Sequence, residues 1–414
     1  MRKILFLLPL LALACTTTPK SSFTSVQDPL TRENLEFADQ QLRVLLSETE
    51  AILDTVTITE KTKVEPRTIK ADGSLSLVAP RDWTSGFFPG SMWYLYEMSG
   101  DDFWKEKAIK FTDYLESIKT YKGTHDLGFM INCSYGNGLR LAAVPGYKEV
   151  MLEAARSLIT RFNPNVGCIR SWDHGKQWQY PVIIDNMMNL ELLFWASKAS
   201  GDPVFRDIAV THANTTIANH FRPDYSSFPV VDYDAAVDGK AIQFNTHQGY
   251  AHESAWGRGQ AWGLYGFTMC YRETGDPDYL KQAEGIAQFI LNHKNLPEDG
   301  VFYWDFDAPD IPDAPRDVSA SAIAASALYE LSTMSETNGA QYLALADKIV
   351  KSIAEKYRNP LGEVHGFLTN SSVGHLPGNS EISVPLNYAD YYFIEALVRK
   401  ERLAKGEPVV PKAE

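Results

Sequence analysis

From about Asp28 onward the chain alternates two kinds of segment. One kind is apolar on nearly every side: residues 86–98, 132–143, 186–199, 259–273, 319–334 and 386–399. The other kind has one apolar stripe and a charged face: residues 31–53, 102–118, 147–162, 204–220, 278–292 and 340–357. A helix that is apolar all round is buried, and a one-stripe helix covers it. Short polar turns follow the apolar segments: Ser99-Gly100-Asp101, Val144-Pro145-Gly146, Ser200-Gly201-Asp202-Pro203, Thr274-Gly275-Asp276-Pro277 and Thr337-Asn338-Gly339. Glycine closing one helix just before the next begins is the mark of antiparallel helix pairs. The pattern predicts an all-α fold, an (α/α)6 barrel of six inner and six outer helices. A repeat of roughly 50 residues also fits an open solenoid. The inner segments are too apolar for one groove-lining face, and polar capping repeats are missing, so the closed barrel is preferred.

Long polar stretches lead into the apolar segments, whereas the turns leaving them are short. The chemically rich loops therefore share one end of the barrel, where the inner-helix N-termini converge and favour an anion. They carry Arg81-Asp82-Trp83, His125-Asp126, Asp185, the insertion 223–258, Arg316-Asp317 with Ser319 and Ser321, and residues 378–385.

Composition changes this picture at two points. The formal charge of −13 argues against a nucleic-acid partner and leaves any anionic ligand to a few local cations. The first residues stand apart from the repeat. Arg2 and Lys3 precede the apolar run 4–13, and Ala12-Leu13-Ala14 is a small-residue cleavage site before Cys15. Residues 1–14 read as a signal peptide of lipoprotein type, with a lipid on Cys15 and an exported, membrane-anchored protein facing the periplasm. Ordinary cleavage at the same bond is the alternative. Residues 15–27 then form a tether, 28–405 a single domain and 406–414 a tail. Cys133, Cys168 and Cys270 match neither a disulfide framework nor a zinc pattern and are expected to be buried. No metal is expected, no cofactor is implied, and no phosphate loop or nucleophile elbow occurs.

Asp126 and Asp185 each precede an inner helix in successive modules, which puts two carboxylates side by side at the mouth. Such a pair keeps one member protonated as an acid while the other stays charged. Helix capping is the competing explanation for each. In the run 247–262, Arg258 lies between Gly257 and Gly259 at a helix start, placed to clasp a carboxylate bidentately. Trp256 and Trp262 beside it either stack on a sugar or belong to the core.

At these residues the chain resembles the unsaturated glucuronyl hydrolases of glycoside hydrolase family 88. The matching segments are Arg81-Asp82-Trp83-Thr84-Ser85-Gly86, His125-Asp126-Leu127-Gly128-Phe129, Asp185-Asn186-Met187-Met188-Asn189, Arg258-Gly259-Gln260-Ala261-Trp262 and Asp317-Val318-Ser319-Ala320-Ser321. The resemblance implies an (α/α)6 barrel and an unusual reaction on an anionic oligosaccharide ending in a 4,5-unsaturated uronic acid. Asp185 would protonate C4 of the vinyl ether and then help water attack C5, with Asp126 ionised beside it. It further implies that Arg258, Gln248, Trp256, Trp262, His125 and Trp83 meet the sugar, with Ser254, Ser319 and Ser321 near it. One departure is Pro229, where the family carries histidine; that contact is lost or taken over by His247 or His252. An unsaturated rhamnogalacturonyl hydrolase of pectin fragments and a non-catalytic sugar-binding lipoprotein are the other readings.

Overall fold

The computed structural model describes residues 23–411, so the signal segment and Cys15 lie outside it. In chain order the helices are α1 (Pro29–Leu53), α2 (Phe87–Ser99), α3 (Asp102–Asp113), α4 (Asn137–Ala142), α5 (Tyr147–Ile159) and α6 (Asn186–Ser200). They continue with α7 (Pro203–His220), α8 (Gly257–Thr274), α9 (Pro277–Asn292), α10 (Val318–Leu331), α11 (Gly339–Ser352) and α12 (Asn387–Ala404). The even-numbered helices form the inner ring. Every residue of α10 is buried, whereas α5 and α9 bury a single stripe. The ring closes because α12 packs on α2, where the Tyr94 hydroxyl donates to Glu395 at 2.8 Å. Closure excludes the solenoid.

The repeated turns work by one piece of local chemistry. Gly100, Gly201 and Gly275 end α2, α6 and α8 with φ of 68°, 74° and 72°, a conformation costly for any residue with a Cβ. The next residue, Asp101, Asp202 or Asp276, then caps the following helix through its side chain. The second inner helix departs most from expectation, while α10 ends three residues early and α12 runs five residues further. That second helix starts at Gly128 rather than 132 and runs as a π-helical segment, Gly128–Gly136, before α4. Ser134 and Asn137 donate to the carbonyls of Met130 and Cys133 inside this widened stretch.

Short strands, unanticipated in an all-α reading, decorate the loops leading into the inner helices. They are β1 (Glu65–Ile69) with β2 (Leu75–Val78), β3 (Phe162–Asn163) with β4 (Cys168–Ile169), the sheet β5 (Pro181–Ile183), β6 (Val230–Tyr233) and β7 (Ala241–Asn245), and β8 (Ser372–His375) with β9 (Ser380–Val384). At two to five residues, such strands are too short to show alternation. All of them stiffen the mouth.

Deeper in the barrel the inner helices are joined by a buried polar girdle. Arg272 on α8 donates to Glu191 on α6 and to Glu330 on α10. Arg399 on α12 donates to Glu330 and to the Tyr265 hydroxyl, and Glu395 accepts from Tyr94, Tyr265 and Ser326. Asn132 brings in the π-helical segment by donating to Glu191.

Both domain ends differ from expectation. Phe23 and Val26 are buried in the core, and the backbone N–H groups of Gln27 and Asp28 bond the Glu401 carboxylate, so the tether stops short of residue 23. Val409 is likewise buried, so the tail packs back at least that far. Cys133, Cys168 and Cys270 are buried free thiols, as expected. Among the described residues no helix is long and apolar enough to cross a membrane.

Candidate active site

Asp185 stands where β5 turns into α6. The Ile184 N–H bonds the Pro229 carbonyl at 3.0 Å and extends the β5–β6 pairing to the edge of this residue. Asp185 already has helical dihedrals, and its side chain makes no capping bond. It is 9% exposed, and Oδ1 has no hydrogen-bond partner. Asp317, at the same position of α10, behaves differently: its carboxylate accepts from the N–H groups of Ser319 and Ala320. Capping therefore describes Asp317 and not Asp185. A lone carboxyl in such surroundings is costly to ionise. Burial first, then the nearby Asp126 charge, push its pKa up to about 7, against the pull of Arg258.

Asp126 lies just ahead of the π-helical segment. Its Oδ2 accepts from the Thr124 hydroxyl at 2.8 Å, and its Oδ1 sits 3.1 Å from His125 Nε2. Asn189 stitches the two aspartate segments together. Its side chain donates to the Asp185 carbonyl at 3.3 Å and accepts from the Phe129 N–H at 2.9 Å. The approach is so close that a Cβ on Gly128 would lie 2.5 Å from Asn189 Cα. Asn186 ties the start of α6 to the Ile169 carbonyl and the Ser171 hydroxyl.

Arg258 is 2% exposed, and its bidentate capacity is already engaged. Nη1 donates to Asp317 at 2.9 Å and to the Val373 carbonyl, while Nη2 donates to Gln248 Oε1 at 2.9 Å and to the Gly374 carbonyl at 2.7 Å. Both terminal nitrogens are thus engaged within the protein, and the guanidinium ties β8 to Asp317 and Gln248. Its charge still reaches Asp185. Trp256 and Tyr388 flank the guanidinium at 4.7 and 5.6 Å.

The aromatic residues divide by exposure. Trp262 is fully buried between Phe129 and Tyr392, which assigns its ring to the core, and Trp256 is 2% exposed. Trp83 keeps a partly open face and packs on Phe87, Phe129 and Tyr388. The three candidate serines are structural. Ser254 donates to Asp305 and to the Ala251 carbonyl, Ser319 to Asp317, and Ser321 to the Asp317 carbonyl. All three are buried, and their hydroxyls donate within the protein. Tyr388, Asn186 and Asn189 are mouth residues that composition around the aspartates did not single out.

Around the aspartates, buried polar atoms without partners gather: Asp185 Oδ1, His125 Nε2, Asn186 Oδ1, Trp262 Nε1 and the Tyr388 hydroxyl. Buried polar groups are normally satisfied, so such a cluster marks a place where a polar ligand supplies the missing bonds. No group of three or more His, Cys, Asp or Glu side chains among the described residues is arranged to hold a metal ion.

A closed ring of helix pairs with a protonatable, unpartnered carboxyl beside a second carboxylate at its mouth defines a sugar-processing enzyme of the α/α-barrel class. Comparison with known proteins narrows this. The family model for Glycosyl Hydrolase Family 88 matches residues 55–403, and the chain belongs to that family. An unsaturated glucuronyl hydrolase of Formosa agariphila is 51% identical over 329 residues, 79% of this chain and 82% of the relative. A crystal structure of an unsaturated glucuronyl hydrolase specific for heparin matches with a TM-score of 0.84 at 46% identity, covering 91% of this chain and 99% of that one. A mutant unsaturated glucuronyl hydrolase from Streptococcus agalactiae, complexed with dGlcA-GalNAc6S, matches with a TM-score of 0.72 at 27% identity over 89% of this chain and 90% of that one.

Proposed function

We propose that this enzyme removes the 4,5-unsaturated uronic acid from the non-reducing end of oligosaccharides that polysaccharide lyases leave from glycosaminoglycans. The observation that carries the mechanism is the buried, unpartnered Asp185 carboxyl with its pKa raised to about 7. At neutral pH about half of it is protonated, as a general acid requires. Asp185 gives its proton to C4 of the vinyl ether, and the ring-oxygen lone pair takes up the positive charge developing at C5. The Arg258 charge favours the carboxylate so formed. That carboxylate then accepts a proton from the water that adds to C5, which returns Asp185 to its starting state. The resulting hemiketal opens and releases the remaining sugar. Asp126, beside Asp185, holds sugar hydroxyls together with His125, while Trp83 offers the open ring face. The names of the similar proteins support the substrate class, and the 46% identical heparin-specific structure makes heparin-type products the first to test.

The test is to mix purified protein with unsaturated heparin, chondroitin and hyaluronan disaccharides and follow loss of the ultraviolet band of the conjugated double bond. Loss with at least one, abolished by Asp185→Asn, is expected. No loss with any of the three, or unchanged loss in the variant, would overturn the reading.

We further propose export and lipid anchoring at Cys15, with the enzyme facing the periplasm, on the strength of the charged, apolar and small-residue order of the first 15 residues. Cys15→Ser should shift the protein from the membrane to the soluble fraction; an unchanged distribution would refute the anchor.

A further inference from the structure

Arg161 lies just beyond α5, on none of the segments that reach the mouth, yet its side chain is only 6% exposed. A guanidinium has five N–H donors in a rigid fork. Here Nε donates to the Arg170 carbonyl at 2.9 Å. Nη1 donates to the Lys122 carbonyl at 2.6 Å and to Asp173 at 2.8 Å. Nη2 donates to the Ser171 carbonyl at 3.2 Å and to Asp173 at 3.0 Å. Every donor is used, so no capacity is left for substrate. What Arg161 does is lock the strand of chain before His125–Asp126 to the one that runs from β4 toward β5.

One of those carbonyls matters for the site. Ser171 O lies 3.1 Å from His125 Nδ1 as well as accepting from Arg161. A carbonyl only accepts, so the ring hydrogen at this contact belongs to Nδ1. In a neutral imidazole that leaves Nε2 as a bare acceptor. Nε2 has no hydrogen-bond partner and stands 3.1 Å from Asp126 Oδ1, two acceptors side by side and suited to share one donor hydroxyl. Burial holds His125 below the ordinary imidazole value, with the Arg161 charge acting the same way, against Asp126 and the Ser171 contact, which raise it; the buried His212 faces the same region.

We infer that Arg161 is a positioning residue: by holding the Ser171 carbonyl it fixes the hydrogen of His125 on Nδ1 and so presents Nε2, beside Asp126, as an acceptor for a sugar hydroxyl or the attacking water. The inference rests on the hydrolase reading above, but its signature can be read without turnover. In free histidine the hydrogen prefers Nε2, so the Nδ1–H form is a diagnostic departure.

The experiment is nitrogen NMR of the full chain labelled in histidine, with the His125 signals identified by their loss in His125→Gln, alongside kinetics on an unsaturated disaccharide. Wild type should show the Nδ1–H form. Arg161→Met should shift His125 toward the Nε2–H form and lower kcat about 10–100-fold, the size expected for misplacement of a catalytic group, with KM changed less than about 3-fold and partial rescue in Arg161→Lys. Should Arg161→Met fail to fold, Asp173→Asn removes only the anionic partner and should give the same tautomer shift in milder form. An Nε2–H form in wild type, or an Nδ1–H form and kcat that neither variant disturbs, would overturn the assignment. If wild type turns over no disaccharide while the tautomer still responds to Arg161, the substrate reading fails and the positioning inference stands.

Discussion

The two depths of this barrel treat buried polar groups in opposite ways. In the girdle, Glu191, Glu330 and Glu395 meet Arg272, Arg399 and three hydroxyls, and none of these side chains is left with a buried polar atom lacking a partner. At the mouth, a few turns away on the same helices, Asp185, Asn186, Trp262 and Tyr388 each keep such an atom. The girdle uses its charges to register six helices against one another. The mouth withholds its bonds and so bears a cost in stability that a bound sugar relieves. Function is marked by the unsatisfied end.

The largest expected effect breaks this contrast at Asp185. Asp185→Asn should lower kcat by about 10³-fold or more, within the range of a general acid, measured by the ultraviolet assay. Its effect on stability should have the opposite sign. The folded-state pKa of about 7 lies above the ordinary carboxylate value, so between pH ~4 and ~7 the folded chain holds one more proton than the unfolded one. Stability therefore falls as pH rises through that window. The variant should be more stable than wild type at pH 8, by on the order of 3 kcal/mol, and equally stable at pH 4, as followed by urea melts. For the same reason wild-type kcat/KM should decline as pH rises through about 7.

Next comes the girdle. Arg399→Met removes a buried partner of Glu330 and Glu395 and should cost about 3–5 kcal/mol, while kcat of the folded fraction changes less than about 3-fold. A large loss of kcat with an unchanged melt would erase the division of labour between the two depths. The smallest effect tests the serines. Ser254→Ala and Ser319→Ala should each cost about 1 kcal/mol, because Asp305 and Asp317 lose one hydroxyl donor but keep the N–H groups of Tyr250 and of Ser319 and Ala320, with KM within about 2-fold; a KM rise of about 10-fold would place these serines at the sugar.

How much of this was legible beforehand varied with the range of the interaction. The Gly-Asp-Pro turns at Gly201 and Gly275 are local, and so the boundaries of α6 to α9 could be read within a residue or two. Asp185 stood out because its surroundings in the chain are so apolar. The position of Arg258 is legible in its Gly-flanked helix start, but its partners Asp317, Val373 and Gly374 lie far along the chain and are not. The partners of Ser254 and of Arg161 are likewise distant in the chain or scattered over loops, which leaves no local signature.

The sequence by itself determined the repeat, the sorting of inner from outer helices and the pairing of Asp126 with Asp185, because periodicity, capping and spacing act over a few residues. Only the tertiary structure decided which of two aspartates at helix starts caps and which is left bare. Both precede inner helices, but Asp317 stands extended, caps its own helix and also meets Arg258 and the Val373 N–H from distant parts of the chain, whereas Asp185 enters α6 already helical with Oδ1 bare.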